Sequence, residues 1–139
     1  DAERETLILH ELGEHAAGRL LGEAWEALMA QADDRRLEIT ARAVRDLLAD
    51  TLVTLPTLVE REAAPSLHFW FATFTGLRRE LFPRLAAARD AWLESGSLDG
   101  IREAVEAGRG HWLRVAGEMA ADGETARRYA LETCTIALP

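Results

Sequence analysis

The side chains best suited to chemistry near neutral pH are four histidines, His10, His15, His68 and His111, and the carboxylates around them. The first group is His10-Glu11-Leu12-Gly13-Glu14-His15. His10 and Glu14 are four apart, and so are Glu11 and His15. On a helix each pair shares a face, and imidazole with carboxylate is a common ligand set for a divalent metal. The two histidines are five apart and diverge by about 140° around a helix. The zinc-protease pattern, with histidines at i and i+4, is therefore not present. One face offers two ligands, and a metal would draw the others from elsewhere. The alternative is a solvated face steadied by His/Glu pairs.

His68 and His111 both lie in apolar surroundings. His68 precedes Phe69, Trp70 and Phe71, and His111 precedes Trp112. A bundle interior can bring them together to hold a metal or an anionic head group. They can equally be two hydrogen-bonded, partly buried histidines, whose burial would also tune a pH response. A metal set drawn from His10, Glu14, His68 and His111 is one expectation. A second concerns Phe69, Trp70, Phe71 and Phe74, with Phe82, Trp92 and Trp112. These are too many for one helical stripe, so the surplus is core, a dimer face or a pocket wall. The pocket reading takes His68, Trp70, Phe71, Phe74, His111 and Trp112. The histidines would orient an acidic head group while the aromatics wrap an apolar body.

No glycine-rich phosphate loop, Cys-x-x-Cys pair or nucleophile elbow occurs, so nothing positive argues for an enzyme. Cys134 is the single cysteine, so it forms no internal disulfide. Its apolar-spaced segment predicts an inert buried thiol and a cytoplasmic setting. The chain has 139 residues, 48% of them hydrophobic and 29% charged, which is globular usage in one domain. Net charge is −8, and every cation other than histidine is arginine. That field repels phosphate backbones, so direct nucleic-acid contact by this segment is not expected. No apolar run approaches the length that spans a bilayer. The chain opens at Asp1, which suggests a fragment of a longer protein.

The elements that must position these residues all read at helical period. Segment one covers residues 3–31, with a stripe of Leu9, Leu12, Ala16, Leu20, Ala24 and Leu28. Gly13, Ala17, Gly18 and Gly22 cluster there. Glycine costs a helix about 1 kcal/mol relative to alanine, so another backbone should approach closely. Asp33 or Asp34 caps segment two, whose stripe is Leu37, Ala41, Val44, Leu48 and Leu52. Pro56 interrupts it, and residues 57–64 form a turn. Segment three covers 67–94, buried on more than one side at its start and kinked, or split into two helices, at Pro83. After Ser95-Gly96-Ser97, segment four carries Ile101, Val105, Gly108, Trp112, Val115 and Met119. Asp122-Gly123 breaks the pattern before segment five, 124–138. The predicted architecture is an all-α bundle of five or six helices.

The stretch His111-Trp-Leu-Arg-Val-Ala-Gly-Glu-Met-Ala-Ala-Asp122-Gly-Glu124-Thr-Ala126-Arg127 resembles the closing helices of the effector domains of GntR-type regulators. Leu77-Arg-Arg-Glu-Leu-Phe-Pro83-Arg-Leu-Ala-Ala is similar to that family's opening helix, in a different register. TetR-type effector domains match comparably in architecture. The resemblance implies an all-helical effector behind a DNA-binding domain, taking small acids or acyl groups. In the commonest subclass a metal is held by an Asp and three His. His68 falls on the second ligand and His111 on the third. The first falls on Ala64 and the last near Thr133 or Cys134, so two of the four are missing. Metal-free members that bind acyl thioesters are the other pattern. The expected function is a ligand-sensing or dimerising domain, the effector part of a bacterial transcriptional regulator, which binds a small organic acid or acyl ligand and forms a homodimer. The alternatives are a small metal-binding bundle and a protein-interaction module.

Overall fold

The computed structural model describes all 139 residues and contains helices and no strand. In chain order these are α1 (Ala2–Gln31), α2 (Arg35–Ala49), α3 (Leu55–Glu60), α4 (Ala64–Thr73), α5 (Gly76–Leu81), α6 (Pro83–Ser95), α7 (Asp99–Ala121) and α8 (Gly123–Leu131). A π-helical turn, Asp50–Thr54, joins α2 to α3 without a break in direction. No helix is long and apolar enough to cross a membrane.

Capping follows the sequence closely. The Asp34 carboxylate accepts from the Arg36 amide at 2.9 Å and starts α2. The Asp122 carboxylate accepts from the Glu124 amide at 3.2 Å and starts α8. Ser97 accepts from the Asp99 amide at 3.2 Å just ahead of α7. The α7 stripe is buried as expected, from Ile101 through Gly108 and Trp112 to Met119. α7 is the central rod, packed against α1, α2, α3, α6 and α8. The C-terminal tail closes the bundle by pairing Leu138 with Leu81 and Arg84 through backbone hydrogen bonds.

Four expectations change. The buried face of α1 is Thr6, Leu9, Gly13 and Ala17, whereas Leu12 and Leu20 of the expected stripe are more than half exposed. The reason is steric. A β-carbon on Gly13 would lie 2.4 Å from the Ala49 carbonyl oxygen, so the two backbones touch and the small-residue face wins. Pro56 does not end its helix. The Leu55 amide reaches back five residues to the Asp50 carbonyl, and this widened turn makes room for a ring that a regular α-turn would crowd. Segment three splits at Pro83, as one expected outcome had it, and again after Thr73, so it is three helices: Phe74 and Phe82 leave helical geometry and Gly76 takes φ of 63°. Its opening buries one broad face, Leu67, Trp70, Phe71 and Phe74, and leaves His68 and Thr73 exposed. Segment five ends at Leu131, and Cys134 is exposed on a 3₁₀ turn rather than buried.

Gly22 breaks α1 at φ 63° and ψ −153°, a region open essentially to glycine, and Trp25 beyond it enters the core. Gly13→Ala is expected to destabilise the domain by about 1–3 kcal/mol despite alanine's better helix propensity. A backbone carbonyl cannot swing aside as a side chain can. Urea denaturation checks this; an unchanged midpoint would show that α1 and α2 part freely.

Candidate metal centre

The contact of α1 with α2 sets His10-x-x-x-Glu14 opposite Asp46-x-x-x-Asp50. Each pair is four apart and shares a face. Gly13 lies between His10 and Glu14 on α1, and its close approach to Ala49 brings the two pairs together. Asp50 opens the π-helical turn, a distortion that often marks functional positions.

One ligand atom each from His10, Glu14 and Asp46 lies within 4.8 Å of the others. His10 Nε2 is 3.2 Å from Glu14 Oε1. His10 Nδ1 is 2.9 Å from Asp50 Oδ1, and Asp50 is buried. Arginines ring the acids: Arg45 lies 3.8 Å from Glu14, and Arg78 lies 3.9 Å from Asp50 Oδ2. Oδ2 itself receives no hydrogen bond from the protein.

The hydrogen bond to Asp50 pushes the His10 pKa up to about 9. Burial opposes that rise, while the charges of Asp50, Glu14 and Asp46 add to it. His10 is therefore an imidazolium at neutral pH, donating through both nitrogens. Asp46 is raised above the ordinary carboxylate range, chiefly by burial and also by Asp50, against the pull of His10, Arg45 and Arg78. The group holds charge of both signs at close quarters, where an ion that replaces the Nε2 proton finds three ligands already gathered.

The other residues singled out in the sequence lie elsewhere. Glu11 and His15 are exposed. His68 is exposed and stacks on Trp92, with centroids 4.5 Å apart. His111 is 2.6 Å from the Ile136 carbonyl oxygen through Nε2 and 3.2 Å from Arg114 through Nδ1. His68 and His111 thus have separate partners, and neither joins His10 and Glu14. Trp70, Phe71, Phe74 and Trp112 are buried in the core; Trp70 stacks on Phe74 at 5.0 Å, and Phe82 meets Trp112 edge-on at 5.8 Å. Sequence reasoning missed Asp46, Asp50 and Arg78. A signal existed for two of them: Asp46 and Asp50 repeat the four-residue spacing inside an otherwise apolar run.

Fold and site together define an all-helical domain with an imidazole–carboxylate cluster between its first two helices. The chain belongs to a family of unknown function, DUF6866, whose C-terminal domain it matches over residues 1–135. This corrects the GntR-type and TetR-type resemblance, since the match covers nearly the whole chain and the quoted stretches only the second half of α7 with the start of α8 and, in another register, α5 with the start of α6. Arginine- and alanine-rich helices share composition without sharing ancestry. No curated protein and no solved structure matches the chain.

Proposed function

We propose that this domain binds a divalent transition-metal ion through His10 Nε2, Glu14 and Asp46, with Asp50 holding the imidazole from behind. The observation that carries the reading is the gathering of those three ligand atoms within 4.8 Å, on two helices, with Nδ1 already engaged by a buried carboxylate. A carboxylate on the far nitrogen fixes the ring and raises its basicity, as it does behind most metal-bound histidines. One imidazole and two carboxylates form a borderline-to-hard set, suited to Zn²⁺, Mn²⁺ or Fe²⁺. Three protein ligands leave a position for water or a bound molecule, the pattern of sites that act on something rather than only brace a fold. The exposed, unpaired thiol of Cys134 fits a reducing compartment such as the cytoplasm.

Titration calorimetry with Zn²⁺ and Mn²⁺ tests this directly. One equivalent per chain is expected to bind, and Asp46→Asn and Glu14→Gln should each weaken binding by at least about tenfold. At a free metal concentration of about a hundred times Kd, the fold should gain about 2.7 kcal/mol. No stoichiometric uptake of either ion would overturn the proposal and leave His10–Asp50 as a structural ion pair.

The affinity should depend steeply on pH. The metal must displace a proton from a nitrogen whose pKa is about 9. Apparent affinity is therefore expected to rise about tenfold per pH unit between pH 6.5 and pH 8.5. A flat profile over that range would remove His10 from the ligand set.

A further inference from the structure

Four of the eight exposed large apolar side chains of the domain fall in one stretch of α1: Leu7, Ile8, Leu12 and Leu20, each at least half exposed. Exposed leucines scattered singly are ordinary, but these are gathered. Ile8, Leu12, Ala16 and Leu20 are four apart and form one ridge along the helix. At its N-terminal end the ridge borders an open groove of about 660 Å³. Ile8, Leu9 and Leu12 wall the groove on one side, and Ala63 and Pro65 at the start of α4 on the other. At the other end of the ridge Leu20 stands in solvent. A groove and an unfilled leucine on one face suit a two-fold contact, whose surface must be complementary to itself.

The charges beside the ridge have the same property. Glu11 and Arg19 are exposed, and neither forms an ion pair within the chain. They lie four residues to either side of His15. A two-fold axis near His15 that sets two α1 helices antiparallel places Glu11 of each copy opposite Arg19 of the other, so the ion pair forms twice. The same axis carries Leu20 of each copy to the groove end of the other ridge. Ala16 stands close to the crossing point, where a small side chain lets two helices approach.

We propose that α1 joins two copies of this chain in an antiparallel pair, with Leu20 of one seated against Ile8, Leu12 and Pro65 of the other and Glu11 facing Arg19. Two copies of net charge −8 repel at long range. At physiological salt that repulsion is screened within about 8 Å, so the contact itself decides. Burial of both ridges supplies the affinity, and the paired charges set the direction.

This inference goes beyond the metal reading and does not rest on it. His10 and Glu14 are each two residues from Leu12, about 160° around the helix, so the ridge and the metal cluster lie on opposite sides of α1. Sedimentation velocity on the full EDTA-treated chain tests it. At about 100 µM the expected mass is twice 15.4 kDa. Leu12→Glu and Leu20→Glu should each give a monomer that melts as the parent domain does, because both side chains are exposed. Glu11→Arg and Arg19→Glu should each weaken the dimer by at least about tenfold. The double exchange Glu11→Arg/Arg19→Glu should restore it, which neither a misfolded variant nor a parallel pairing would do. A chain that stays monomeric at that concentration overturns the proposal, even if its ridge adsorbs to phosphatidylcholine vesicles instead. A dimer indifferent to Leu12→Glu, or one that the double exchange does not restore, overturns it too. Zn²⁺ uptake is scored on a separate sample, so either proposal can fail alone.

Discussion

His10→Ala is expected to destabilise the domain by about 3 kcal/mol at pH 7 as well as to abolish metal binding. The stability loss comes from Asp50. Its carboxylate is buried, and His10 supplies the one protein hydrogen bond it receives. Truncating His10 leaves an ionised group in a poorly solvated place, with Arg78 at 3.9 Å as its remaining counter-charge. Removing both partners should be gentler than removing one. His10→Ala/Asp50→Ala is thus expected to fall short of the summed single losses by about 1–3 kcal/mol in urea denaturation. Strict additivity would show that the two side chains do not stabilise one another.

The same pair sets a pH dependence for the metal-free protein. The His10 pKa is raised from 6.5 to about 9, so folding favours the protonated form. The contribution is complete below pH 6.5 and disappears as pH rises through 9. At 1.36 kcal/mol per unit the upper figure is about 3 kcal/mol, and solvent reaching the Nε2 edge reduces it toward about 2. Metal binding reverses this slope, because the ion takes the neutral imidazole. A metal-free domain that loses stability above pH 6.5 and a metal-loaded domain that does not would be the joint signature.

Trp70→Ala and Trp112→Ala are each expected to cost about 3–5 kcal/mol, enough to unfold much of a domain of ordinary stability. Trp112 is 0% exposed and Trp70 is 2% exposed. Trp70 is clamped between the stacked Phe74 ring and the edge-on Phe71 ring, with centroids 5.0 and 5.1 Å away. Neither site can collapse without moving a helix: Phe82, the partner of Trp112, already presses on α7 where a β-carbon at Gly108 would lie 2.5 Å from its ring. Trp70→Phe should be much milder, since it keeps a ring against Phe74. A loss below about 1 kcal/mol for either alanine variant would place that tryptophan outside the core.

Much of the local structure was legible because its causes are local. Asp34 and Asp122 mark helix starts through a side chain that accepts from an amide two residues on. Ile101, Val105, Trp112 and Met119 mark a buried face through their spacing. The His10–Glu14 contact follows from helix geometry alone. The site was half legible for the same reason. Its α1 half is one motif, but Asp46 and Asp50 become partners of His10 only when α2 arrives, and Arg78 comes from α5.

By itself, then, the sequence determined an all-α domain, its main helix starts, the burial of the α7 stripe and a close approach at Gly13 on α1, though not at Gly18 or Gly22, where a β-carbon would meet nothing. Tertiary structure alone decided which face of α1 turns inward. The stripe of larger side chains, Leu12 and Leu20, lost to Gly13 and Ala17 because a short interhelical distance buries more of both helices than bulky side chains would allow. Tertiary structure also carried the helix through Pro56, exposed Cys134 and gave His68 and His111 separate partners. Hydrogen bonding and periodicity act within a few residues, and a sequence displays them. Which carboxylate meets which histidine depends on how closely two helices approach, and that is settled by packing across the whole core.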